Sequence, residues 1–139
     1  MRILIIEDDF VALSKMVALL KPFGSCDAAT HGQQALDLHC RALDEGQPYQ
    51  LVMIDIHLPD TNGLTLLVRL HTEEKRSGSP RARKLIVTAE STASNVLAAA
   101  TGECDGFLVK PVRRVVLVEK LTALGLLTTV HRCDAGTNA

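Results

Sequence analysis

The stretch LVMIDIHLPDTNG, residues 51–63, holds an apolar run that stops abruptly on an acid, followed by a proline and an Asn-Gly pair. Leu51-Val52-Met53-Ile54 is too short for a helix, carries β-branched residues and shows no polar alternation, which predicts a strand buried on both faces. Asp55 ends it, Pro59 marks a turn, and Asn62-Gly63 opens a helical stretch with Leu64, Leu67 and His71 on one side.

Three further runs read the same way: Ile3 to Ile6, Leu85 to Val87 and Phe107 to Val109. Helical spacing follows Asp9, a plausible N-cap, with Phe10, Leu13, Val17 and Leu20, and recurs more weakly at Ala35, Leu38 and Ala42. A fourth helical stretch, Ser91 to Thr101, contains Val96, Leu97 and Ala100 and is closed by Gly102. A fifth follows Pro111, with Leu117, Leu121 and Leu124, and ends at Gly125. Ser25 to Thr30 is the one candidate for a further strand, and its poor β-propensity suggests an edge position. Strand and helix thus alternate five times, which predicts an α/β fold: a doubly wound five-stranded parallel sheet, (βα)5. The longest connector, Glu73 to Lys84, carries Lys75, Arg76, Arg81, Arg83 and Lys84 and reads as a solvated loop, with a docking patch as the lesser reading. Residues 1–125 form the expected domain, and 126–139 a tail or linker stub.

Composition sets the outer bounds. At 139 residues and 47% apolar, the chain allows one domain with an ordinary core. Fifteen Lys and Arg against sixteen Asp and Glu leave no strong field, which argues against direct binding of nucleic acid or an anionic membrane. No apolar run reaches the roughly 18 residues of a membrane span. Met1 leads straight into the first strand with no secretory signal, so the cytoplasm is expected. The four cysteines, Cys26, Cys40, Cys104 and Cys133, are far apart and suggest free thiols.

The functional signal lies at the carboxyl end of each buried run. The first ends in Glu7-Asp8-Asp9, the third in Asp55, the fourth in Thr88 and the fifth in Lys110-Pro111. In a parallel sheet all carboxyl ends share one edge, where ligands of open α/β sheets bind. Two charges about 4 Å apart at an effective dielectric of 20 repel by roughly 4 kcal/mol, so Glu7, Asp8 and Asp55 together must take up a proton or a cation. An all-oxygen site with room for water suits Mg²⁺. Asp55 can then act as the nucleophile of an aspartyl-phosphate, whose charge Lys110 and the Thr88 hydroxyl would meet. Each residue alone has an ordinary explanation as a cap, turn or solvated side chain. Their convergence from four strand ends favours phosphoryl transfer onto Asp55, with Asp9 kept as a cap.

These motifs resemble the receiver domain of bacterial two-component response regulators over residues 2–125. ILIIEDD is similar to the family's first strand and acidic pair, LVMIDIHLPDTNG to its phosphoacceptor strand and turn, LIVTAE to its switch segment and GFLVKP to its Lys-Pro. The resemblance implies the flavodoxin-like strand order 2-1-3-4-5. It makes Glu7 and Asp8 metal-binding acids, Asp55 the phosphoacceptor and the His57 backbone carbonyl a third metal contact. It also implies that Thr88 and Phe107 form the switch, and that Lys110 pairs with the site before a cis bond to Pro111. Partners would be a sensor histidine kinase or a histidine phosphotransfer protein, with Mg²⁺ as cofactor. The domain would not be an enzyme beyond Mg²⁺-dependent self-phosphorylation and autodephosphorylation.

Phosphorylation would switch the surface formed by the fourth helix, last strand and fifth helix toward an output protein. Alternatively, the chain is the amino-terminal part of a longer regulator, whose DNA-binding or enzymatic output domain lies beyond Ala139. A homodimer on phosphorylation would use the same surface; Asp105 and Lys120 match its charged pattern, and Val96 departs from it. His57 and Glu90, which flank the pocket, would set how water reaches the phosphoryl group. A third reading, a hydrolase with an aspartyl-phosphate intermediate, needs a second acid two residues after the nucleophile, where this chain has His57.

Overall fold

Every second residue of the central strands enters a different core. Leu4, Ile6, Val52, Ile54 and Ile86 pack on one face, while Ile3, Ile5, Leu51, Met53, Leu85 and Val87 pack on the other. This is why the runs show no polar alternation: both faces are covered. A computed structural model of the chain describes residues 1–89 and 104–127. The expected fourth helix, with Val96, Leu97, Ala100 and Gly102, lies outside the described residues, as do Glu90 and Cys133.

The strands are β1 (Arg2–Ile6), β2 (Ser25–Ala29), β3 (Leu51–Asp55), β4 (Arg83–Ala89) and β5 (Gly106–Lys110), all parallel in the order β2-β1-β3-β4-β5. The helices are α1 (Phe10–Leu20), α2 (Gly32–Asp44), α3 (Gly63–Ser77) and α4 (Arg114–Ala123), which is the helix expected after Pro111. Leu13, Met16 and Leu20 of α1 and Leu117 and Leu121 of α4 fill one core, and Ala35, Leu36, Leu66, Leu67 and Leu70 of α2 and α3 fill the other. The weak segment at Ser25 is indeed an edge strand beside β1.

Four expectations need correction. Phe10, the first residue of α1, is 76% exposed, and Met16 joins Leu13 and Leu20 on the buried face instead. In α3 the buried face is Leu66, Leu67, Leu70 and Glu74, with Leu64 and His71 at its border. The last run is not buried on both faces: β5 is the other edge, its Val109 is 43% exposed and its Phe107 only partly buried. The largest difference is at the connector. Helix α3 continues to Ser77 and is closed by Gly78 in the left-handed conformation (φ 70°), so the stretch from Glu73 is mostly not loop.

Its basic run is only partly a solvated patch: Lys75, Arg76 and Arg83 are exposed, whereas Arg81 is half-buried. Lys84 is fully buried and donates to Glu74 Oε1 at 2.8 Å and to the Ala82 carbonyl at 3.0 Å. Glu74 Oε2 accepts from the Ala82 N–H at 3.1 Å and lies 3.4 Å from His39 Nε2, and Oε1 lies 3.6 Å from His71 Nδ1. This ionic joint ties α2, α3 and β4 together beneath the sheet's amino edge. Arg81 and Arg83 both pair with Asp105, at 2.9 and 3.4 Å, and Asp105 also accepts from the Lys84 N–H at 2.8 Å. Asp105 is therefore engaged within the domain, away from the partner-facing role that its place in the charged pattern suggests. At the far end, Leu126 and Leu127 pack against the α1–α4 core, and the Leu126 N–H donates to the Leu121 carbonyl at 2.9 Å. Cys26, Cys40 and Cys104 are free thiols.

Candidate functional site

Register brings the acids together. Ile6 of β1 lies beside Ile54 of β3, so Glu7 and Asp55 leave adjacent strands at the same level. Glu7 and Asp55 are buried, Asp8 is exposed, and each of the three offers a carboxylate oxygen within 4.8 Å of the others. Asp9 does what its position predicts: its side chain accepts from the Val11 N–H at 3.0 Å and caps α1, while its own N–H donates to Glu7 Oε2 at 3.2 Å.

From β5, Lys110 donates to Glu7 Oε1 at 2.7 Å and stands 3.5 Å from Asp55 Oδ2. Its bond to Pro111 is cis. Thr88 is buried one residue past the level of Asp55, since Asp55 is in register with Val87. Phe107 packs against the α2–α3 core from its half-buried position. The His57 side chain is exposed, and its N–H donates to Asp55 Oδ1 at 3.3 Å.

The loop after Asp55 is closed on itself. His57 bridges Asn62, and the Gly63 N–H donates to the Ile56 carbonyl at 2.8 Å. A Cβ on Gly63 would lie 2.4 Å from the Asp55 carbonyl oxygen, so only glycine lets α3 begin this close to the strand end. Asn62 then caps α3 through the Leu64 N–H at 2.7 Å.

Three acids facing one lysine leave an excess of negative charge. Burial pushes the Glu7 carboxyl above the ordinary carboxylate range, the nearby Asp55 carboxylate adds to this, and Lys110 offsets only part of it. Burial pulls the Lys110 ammonium down, but the hydrogen bond to Glu7 and the charge of Asp55 outweigh it and hold the amine above its usual value. Beside the acids, a cavity of about 350 Å³ runs along α1 and is lined by Lys15, Met16, Leu19, Lys110 and Pro111. The arrangement holds a buried carboxylate, a set of hard oxygen donors and an ammonium within reach of both.

The model of the response regulator receiver domain family matches residues 3–122. The chain belongs to that family. Among curated relatives, the transcriptional regulatory protein BasR of Escherichia coli K12 is 34% identical over 125 residues, which is 89% of this chain but 52% of BasR. A chemotaxis protein CheY homolog of Campylobacter jejuni is 28% identical and covered over 89% of its length by 87% of this chain. The chain thus spans about half of the one relative and nearly all of the other. Among solved structures, the CheY-like receiver domain protein of Methanospirillum hungatei superposes with a TM-score of 0.69 at 28% identity, over 88% of this chain and 90% of that one. The receiver domain of a sensor histidine kinase from Pseudomonas aeruginosa, at 25% identity and a TM-score of 0.69 over 88% and 94%, was solved with a magnesium ion coordinated in its active-site cleft. As a receiver domain of two-component signalling, this chain does not fit the hydrolase reading.

Among the described residues, no helix is long and apolar enough to cross a membrane. Sequence reasoning misses two features near this site or beneath it. Asp60, whose side chain reaches across to α2, gives only a turn signal beside Pro59, and the Glu74–Lys84 joint reads as part of a connector.

Proposed function

We propose that this receiver domain takes a phosphoryl group on Asp55 from a phosphohistidine of a sensor kinase or phosphotransfer protein, holds it, and loses it to water. The observation that carries the reading is the buried Asp55 carboxylate, within 3.5 Å of the Lys110 ammonium and beside two further acids. In the transfer, an Asp55 oxygen forms the new P–O bond as the P–N bond of the donor breaks, leaving the donor imidazole to take a proton. Lys110, already shared between Glu7 and Asp55, shifts toward the phosphoryl oxygens, and the Thr88 hydroxyl donates to one of them.

Glu7, Asp8 and Asp55, with the His57 carbonyl, would hold Mg²⁺, and their all-oxygen, partly water-exposed donor set suits a hard divalent ion. When bound, the ion supplies positive charge against the phosphoryl oxygens. This is self-phosphorylation and autodephosphorylation rather than turnover of a released substrate, and it belongs in the cytoplasm. The output is either a separate protein, as the nearly full-length match to the CheY homolog allows, or a further output domain, as the half-length match to BasR allows. A charged homodimer contact through Asp105 is disfavoured, since that carboxylate is already paired with Arg81 and Arg83.

The test is incubation with a small acyl phosphate donor, with Mg²⁺ or with a chelator. Hydroxylamine-labile phosphorylation that needs Mg²⁺ supports the reading; labelling that ignores the chelator would remove it. A second expectation concerns the ion alone: at a hundredfold excess over its dissociation constant, Mg²⁺ adds about 2.7 kcal/mol of stability. Thermal unfolding should show the rise, and Glu7→Gln should blunt it by removing a ligand charge. A third concerns the switch. Two or three charge-assisted hydrogen bonds, at about 1.5–3 kcal/mol each, can move a two-state equilibrium from mostly inactive to mostly active, which takes about 5.5 kcal/mol. Thr88→Ala should still be phosphorylated but lose most of the NMR shift change at Phe107.

A further inference from the structure

The loop that leads from Asp55 into α3 is fastened to a second helix by a residue outside the acidic cluster. Asp60 Oδ1 accepts from the Gly32 N–H at 2.7 Å, and Oδ2 accepts from the Gln33 N–H at 2.9 Å. These are the first N–H groups of α2, which no carbonyl within the helix can satisfy. The N-cap of α2 is His31, whose Nδ1 accepts from the Gln34 N–H at 3.2 Å and stands 3.8 Å from Asp60 Oδ2. So the helix caps one N–H locally, and a carboxylate 27 residues further along the chain takes two more.

The contact is also tight in shape. A Cβ on Gly32 would lie 2.3 Å from Thr61 Cγ2 and 3.3 Å from Asp60 Oδ1, so the loop rests directly on the first residue of α2. At its base the same loop is closed by the His57–Asn62 bridge and the Gly63 bond to Ile56. Base and tip are therefore both fixed, and His57 belongs to the base.

We propose that Asp60, by clamping this loop to the amino end of α2 against Gly32, is a positioning residue for cation binding and phosphorylation at Asp55. The inference rests on the function proposed above. Asp60 is not one of the three clustered acids; it acts by fixing the backbone from which the His57 carbonyl is presented. Outer partners of metal ligands typically contribute about 10–100-fold in affinity, and the lower end suits a residue acting through backbone.

The experiment is calorimetric Mg²⁺ titration and a phosphorylation time course with a small acyl phosphate, at a temperature where every variant is folded. Asp60→Ala is expected to raise the half-saturating Mg²⁺ concentration about tenfold, with Asp60→Asn, which keeps one acceptor oxygen, falling between it and the wild type. Gly32→Ala approaches the same contact from the helix side and leaves Asp60 in place, so it should raise the half-saturating concentration too. If Asp60→Ala does not fold, Asp60→Asn and Gly32→Ala decide. Lower stability with wild-type Mg²⁺ affinity and phosphorylation rate would make Asp60 a helix cap only and overturn the inference while leaving the proposed function intact. Absence of Mg²⁺-dependent phosphorylation in the wild type would overturn both.

Discussion

Glu74→Ala is expected to destabilise the domain by about 3–5 kcal/mol, the cost of leaving one member of a buried ion pair without its partner. Lys84 is fully buried, and Glu74 supplies its 2.8 Å ionic contact, so the variant strands a buried ammonium against the Ala82 carbonyl. Replacing both residues by apolar ones of similar size should recover much of the loss, because the pair itself is costly to desolvate. Burial pushes the Glu74 carboxyl up, but His39, Lys84 and the Ala82 N–H more than reverse this and hold it down at about 2, against 4.5 for an ordinary glutamate. Its folded-state pKa is depressed, so the stabilisation is complete above about pH 4.5 and is lost as pH falls through 2. Urea unfolding between pH 7 and 2 should show a decline in the wild type that is shallower in Glu74→Gln. Parallel profiles would mean that Glu74 is not the acid-sensitive group.

Asp55→Asn is expected to abolish phosphorylation entirely. The amide has nearly the shape of the carboxylate, so β3 and the loop closure at Gly63 should survive, but it offers no anionic oxygen to phosphorus. The substitution also removes one of three mutually repelling acids, so the metal-free domain should be no less stable than the wild type. Unfolding of the two proteins side by side, with phosphorylation measured on each, separates loss of the nucleophile from loss of the fold. Wild-type labelling of the folded variant would transfer the role to another residue.

Much of this is legible in the sequence because double burial leaves a plain signature. Runs such as Ile3 to Ile6 and Leu51 to Ile54 are uniformly apolar since helices cover both faces, and the polar residue that ends each run sits at the sheet's carboxyl edge. Asp55 and Glu7 can therefore be placed together from order alone. The cues fail where a residue acts across a distance or against its type. Glu74 continues the apolar face of α3, following Leu67 and Leu70 at helical spacing, but a glutamate there reads as the end of the helix unless its partner Lys84 is also seen. Lys84 begins the buried part of β4, and its charge makes the strand look shorter than it is. Asp60 sits in a turn where an acid is ordinary, and only the fold brings Gly32 and Gln33 to it. Phe107 and Val109 read as core from their apolar character; an edge strand leaves such residues half covered.

The central claim is that Asp55 carries the phosphoryl group. It is tested most directly by phosphorylating the wild-type chain with a small acyl phosphate and Mg²⁺, trapping the acyl phosphate by borohydride reduction and mapping the modified residue by mass spectrometry. The account predicts a single modification at Asp55 that disappears when Mg²⁺ is chelated. Modification at Glu7, Asp8 or any other residue, with Asp55 untouched, would contradict it.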